Sequence, residues 1–110
     1  MNQFVIVGKL ANEPTERITE NGKKVYDICL AVKRSYKNIE GVYETDFLTF
    51  VAYAPLAVQT LTHCREGDMI GIKGRLETRQ AVITPIVEKL TCLDMSKKRI
   101  ENGVDTTEEV

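Results

Sequence analysis

With 110 residues, 15 basic and 16 acidic side chains and a formal charge of −1, the chain is sized for one domain with a modest core; neither a second domain nor a uniformly basic nucleic-acid binder fits it. Cys29, Cys64 and Cys92 are odd in number and form no Cys-x-x-Cys pair, which argues against a disulfide framework or a zinc site and for reduced thiols packed as small apolar groups. No secretory signal opens the chain and no apolar run approaches the roughly 20 residues of a membrane span, so a cytoplasmic protein is expected, without a cofactor or metal.

Phe4-Val5-Ile6-Val7-Gly8-Lys9-Leu10 is an apolar run that ends in the polar, Pro-bearing Ala11-Asn12-Glu13-Pro14, which predicts a first strand, and Gly8 inside it predicts a bend or bulge. Asn21-Gly22 signals a turn, after which Val25 to Val32 reads as a second strand with Ile28, Leu30 and Val32 directed inward. Lys33 to Thr45 is polar and predicts a long exposed connection. Asp46-Phe47-Leu48-Thr49-Phe50-Val51-Ala52-Tyr53 is the third strand. Its alternation places Phe47, Thr49, Val51 and Tyr53 on one face and Leu48, Phe50 and Ala52 on the other, so both faces are apolar. One of them needs an occupant other than the core.

Pro55 suits a first helical position, Leu56, Val58, Leu61 and Cys64 form a helical stripe up to Arg65, and Gly67 is a helix stop. Met69 to Arg79 alternates again: Ile70, Ile72, Gly74 and Leu76 share one parity, and Lys73, Arg75, Glu77 and Arg79 the other, which makes a strand with a largely basic outer face. A tight connection at Gln80-Ala81 leads into a fifth strand from Val82 to Leu93, where Pro85 implies an edge or a bulge. Three strands, a helix and two strands give an all-β, five-stranded OB-fold barrel with one short helix between strands 3 and 4. Residues 1–93 form that domain, and 94–110 are expected to be a disordered polar tail.

The ordered set Asn2 to Leu10 (NQFVIVGKL), Glu13-Pro14, Asn21-Gly22, Asp46-Phe47, Leu56-Ala57, Arg65-Glu66-Gly67-Asp68 and Gly74 to Arg79 (GRLETR) resembles the bacterial single-stranded DNA-binding (SSB) family over residues 1–93. The resemblance implies an OB fold, sequence-tolerant binding of single-stranded DNA in replication, repair or recombination beside the nucleoid, and a homotetramer, with a dimer as the alternative. Matched by position, the family's base-stacking aromatics fall on Tyr36, Phe47 and Tyr53. Their use answers the question of the second apolar face, since a single strand requires flat platforms and a cationic track beside them. Lys73, Arg75 and Arg79 on one strand, extended by Lys33, Arg34 and Lys37, are the expected phosphate contacts, with Glu77 interrupting the stripe.

Three departures from the family pattern stand out. Tryptophan is absent, the hairpin between strands 4 and 5 is cut to a few residues, and the chain ends in Glu108-Glu109-Val110 rather than in an acidic Pro-Phe tip, so recruitment of replication and repair enzymes by the tail is not expected. The short hairpin and tail keep a second reading open: a dimeric adaptor resembling primosomal replication proteins, which mainly binds replication-restart partners. Catalysis has little support. His63 and Cys64 are adjacent, and i, i+1 side chains diverge on a helix; no phosphate-cradling Gly-rich motif is present.

Overall fold

The computed structural model describes residues 1–93. The apolar runs become β1 (Phe4–Leu10), β3 (Lys24–Lys37), β4 (Tyr43–Tyr53), β5 (Met69–Arg79) and β6 (Val82–Cys92), with a short β2 (Thr15–Ile18) and a helix α1 (Ala54–Leu61) between β4 and β5. Hydrogen bonding runs in the order β1-β5-β6-β4-β3-β2, and a further β1–β3 pairing (Lys9↔Ala31, Leu10↔Leu30) closes β1, β5, β6, β4 and β3 into a ring. This is the five-stranded OB barrel expected from the element order, with the helix in the expected place.

Closure depends on two glycines. Just after Gly8 the first strand passes from β5 to β3, with Lys9 paired to both Met69 and Ala31, and a Cβ on Gly8 would lie 2.8 Å from the Ala31 carbonyl oxygen. Gly74 faces the β6 bulge, where a Cβ would collide with the Ile86 carbonyl. The register shift sets Glu88 as the extra residue of β6, three positions from Pro85. Proline is tolerated in β6 because that strand meets β4 at a single parallel pair, Val51↔Ile86, leaving little of its second edge bonded.

The barrel interior is filled by Leu10, Ile28, Leu30, Phe50, Ala52, Ile70, Ile72, Val87 and Leu90, with Phe4 tilted against Phe50 at 5.4 Å between centroids. The helix closes one end through Ala57, Leu56 and Leu61. Val58, placed in the apolar stripe by its spacing, is instead exposed, and the helix stops at Leu61 rather than Arg65. Gly67, at φ 92°, lies beyond the helix in the turn whose backbone bonds to Leu10.

Two further expectations are corrected. Lys33 to Thr45 is not a long loop: β3 and β4 continue as a projecting two-stranded arm past a bulge, pairing Lys37 with Tyr43, and only Asn38–Val42 turn at the tip. The Asn38 side-chain oxygen accepts from the Glu40 and Val42 amides, taking the place of a backbone carbonyl, while the Asn38 carbonyl itself accepts from Gly41. The second correction is β2, a polar edge strand paired with β3 through the Asn21-Gly22 turn, which shows no apolar alternation for a sequence pattern to detect. The tail 94–110 lies outside the described residues.

Candidate nucleic-acid interface

Pairing register decides which side chains share the outer face. β4 directs Tyr43, Thr45, Phe47, Thr49, Val51 and Tyr53 to one side, and across from them β3 presents Lys37, Lys33, Ala31, Cys29, Asp27 and Val25. On the other flank, β6 brings Ile86 beside Val51, and β5 sets Arg75 opposite Ile86. A row of aromatics therefore runs along β4, with β5 arginines parallel to it across β6.

The row is open at its ends and sealed at its middle. Phe47 is 67 % exposed and Tyr53 half-buried, whereas Val51, with Val25 and Ile86, forms a small second apolar cluster against which Tyr53 packs. At about 3.3 Å per residue, Phe47 and Tyr53 stand roughly 20 Å apart along the strand. The alternation thus separates a core set (Phe50 buried, Leu48 half-buried) from an outward set, as expected.

The end around Tyr53 is a built network. Arg79 Nη2 donates to the Tyr53 hydroxyl at 2.9 Å, and Arg79 also donates to Glu77 Oε1 through Nε (3.1 Å) and Nη2 (2.8 Å). The other Glu77 oxygen pairs with Arg75, which also meets Glu88 at 3.2 Å. Lys23 lies over the Tyr53 ring, 5.6 Å from its centroid. The Glu77 carboxyl is held below the usual carboxylate range chiefly by the Arg79 hydrogen bonds, and the Arg79 guanidinium is held protonated chiefly by its bond to Tyr53. Beyond Tyr53 a groove runs between the β2–β3 turn and the β5–β6 turn, with Val51 and Thr84 in its lining. Gln80 donates across it to Glu20 at 3.0 Å. That second turn holds both Gln80 (φ 54°) and Ala81 (φ 67°) in the left-handed region, as a two-residue type I′ hairpin demands.

The arm carries the other predicted residues. Lys33 and Lys37 share the Phe47 face, and Tyr43, which the sequence reading passed over, stands between them at 5.4 and 5.7 Å from its ring centroid. Tyr43 shares its parity with Phe47 and Tyr53, but it lies in a segment whose polar composition predicts a loop. Arg34 has the opposite parity, and it lies on the reverse of the arm. It donates to both oxygens of Asp46 (3.0 and 2.8 Å) and to Glu44 (2.6 Å), so its charge is already committed. Tyr36 is 64 % exposed and close enough to Arg34 to raise its proton affinity, though Asp46 contributes most. Lys73 points outward beside Val5 and Lys89, around the barrel from Tyr53.

The nine predicted residues thus fall into four places: Tyr53 with Arg75 and Arg79; Phe47 with Lys33 and Lys37; Tyr36 with Arg34 on the arm's reverse; and Lys73 alone on the β1 flank. Among the described residues no cluster of His, Cys, Asp and Glu could hold a metal ion, and no helix is long and apolar enough to cross a membrane. His63 follows the end of α1, while Cys64 packs against the core.

The sequence model of the Single-strand binding protein family matches residues 1–83. Single-stranded DNA-binding protein B of Bacillus subtilis (strain 168) is 37 % identical over 78 residues, covering 71 % of this chain and 69 % of the relative. The single-stranded DNA-binding protein of Bacillus cereus is 37 % identical over 79 residues, and there the match spans 72 % of this chain but only 46 % of the relative. Among solved structures, the dimeric N-terminal domain of PriB from Thermoanaerobacter tencongensis superposes with a TM-score of 0.62 at 17 % identity, over 84 % of this chain and 96 % of that one, a likeness of fold alone.

Proposed function

Because this chain belongs to the Single-strand binding protein family, we propose that it coats single-stranded DNA, stacking bases on Phe47 and Tyr53 and meeting phosphates with the neighbouring cations. The observation that carries the reading is the outward Phe47, 67 % exposed on a strand whose opposite face builds the core. An apolar ring of that size left open beside lysines is costly to hydrate and suits a flat, unstacked base. Stacking accepts any base, so such a surface tolerates sequence and serves replication, repair or recombination wherever strands are exposed, in the cytoplasm beside the nucleoid. Binding alone accounts for the site, and no catalytic step is invoked.

The protein works on this reading as a homo-oligomer. Phe4 to Gly8 pair with β5 on one side only, and Val5 and Val7 are exposed on the outer face of the same strand, so a second copy's β1 would cover both the open edge and the apolar side chains. Two such dimers joined would give a tetramer. The adaptor reading is not favoured: the family match and the curated relatives' names point to single-stranded DNA, and the PriB likeness carries the fold only.

The test is a titration of the full chain into labelled oligo(dT), oligo(dA) and a duplex of equal length, with mass by light scattering. Comparable affinity for the two single strands and much weaker affinity for the duplex is expected. Equal or preferential duplex binding would overturn the reading.

A further inference from the structure

Tyr43 is 44 % exposed and belongs to neither apolar cluster, yet it sits on a paired strand position opposite Lys37 rather than on a free loop. The arm that holds it is fixed at its tip by the Asn38 side chain and at its base by the Arg34–Asp46 pair. A ring presented this way is held in place before any ligand arrives.

Its surroundings differ from those of the other candidate cations. Arg34, Arg75 and Arg79 each pair with a carboxylate. Among the described residues no carboxylate pairs with Lys33 or Lys37, whose ammonium groups rest over the Tyr43 ring. A lysine above a solvent-exposed ring is held more weakly than a base stacked on one, and an ammonium turned from the ring to a phosphate gains a charged partner. A nucleotide is therefore a better occupant of this cluster than its own lysines are. Parity also aligns it: Tyr43 lies four residues, about 13 Å, beyond Phe47 on the same face of β4.

We propose that Tyr43, Lys33 and Lys37 form an additional nucleotide subsite, in which a base stacks on Tyr43 and the adjoining phosphates take the two ammonium groups, so that a bound strand continues outward along the arm. This rests on the single-stranded DNA reading and specifies where the strand goes beyond Phe47.

The experiment compares the full-length wild type with Tyr43→Leu, Tyr43→Phe and the pair Lys33→Gln/Lys37→Gln on two oligo(dT) lengths, one just spanning Phe47 to Tyr53 and one long enough to reach the arm, with Phe47→Ala as reference. Thermal melts verify that each variant is folded. Tyr43→Leu should weaken binding of the long oligo about 5- to 100-fold while leaving the short one unchanged, and Tyr43→Phe should restore it. The lysine pair should lower the salt slope by about 1.4. Unchanged long-oligo affinity in Tyr43→Leu, with Phe47→Ala still impaired, overturns the subsite and leaves the proposed function standing. Wild-type failure to bind either oligo overturns both.

Discussion

Glu77 occupies the position on β5 where a fourth base would complete the stripe, and its geometry explains why an acid stands there. One carboxylate oxygen orients Arg79, which in turn holds the Tyr53 hydroxyl, and the other meets Arg75. The acid thereby fixes the Tyr53 ring but withdraws positive charge from phosphate. Glu77→Gln keeps the shape and releases the charge. It should tighten oligo(dT) binding at low salt and steepen the dependence of log affinity on log salt by about 0.7, the contribution of one added phosphate contact on a single strand. An unchanged slope would mean that Arg79 faces no phosphate. Such pairing could not be read from the chain, where Glu77 is simply a like-parity neighbour of Arg75 and Arg79. Whether the carboxylate bridges them or merely interrupts them depends on rotamers and on the approach of β4.

At the scale of elements, the projecting arm depends on a charged clasp. Arg34 donates to Asp46 across the β3–β4 ladder, and this holds the Asp46 carboxyl below the usual carboxylate range. A carboxyl whose folded-state pKa lies under its unfolded value near 3.9 stabilises the fold at every pH above about 4, and that contribution disappears as pH falls through the folded value. Urea midpoints measured from about pH 6 down to pH 2 should therefore show an acid limb that is shallower in Asp46→Asn than in the wild type. Equal limbs would show that the clasp does not couple to folding. The arm also marks where sequence reading stopped. β1 and β5 were legible to the residue, β1 as a compact apolar run bounded by the polar, Pro-bearing Ala11 to Pro14, and β5 by the alternation of Ile70, Ile72 and Leu76 with Lys73, Arg75 and Glu77. The arm has water on both sides, so its residues alternate in nothing the pattern can detect, and a polar strand looks like a loop. β2 escaped notice for the same reason.

The whole molecule carries a near-neutral charge, and the structure shows how that is distributed. Of the six cations nominated on the sequence, Arg34, Arg75 and Arg79 are matched by carboxylates, leaving Lys33, Lys37 and Lys73 without one among the described residues. Lys73 lies around the barrel from the aromatic row, so binding that uses only Lys33 and Lys37 gives a log–log salt slope of about −1.4 per protomer; recruiting Arg75 and Arg79 as well would bring it to about −2.8. The shallower value is expected, because each arginine must first give up a carboxylate. On this account stacking, rather than long-range attraction, supplies most of the affinity. Stacking is tested most directly by comparing wild type and Phe47→Ala/Tyr53→Ala for binding to the same oligo(dT) by fluorescence anisotropy, at a salt concentration where phosphate contacts are screened. Loss of two platforms at about 1–3 kcal/mol each predicts an affinity lower by at least about 30-fold with the fold intact. A folded double variant that binds as tightly as the wild type would contradict the assignment of this face to DNA.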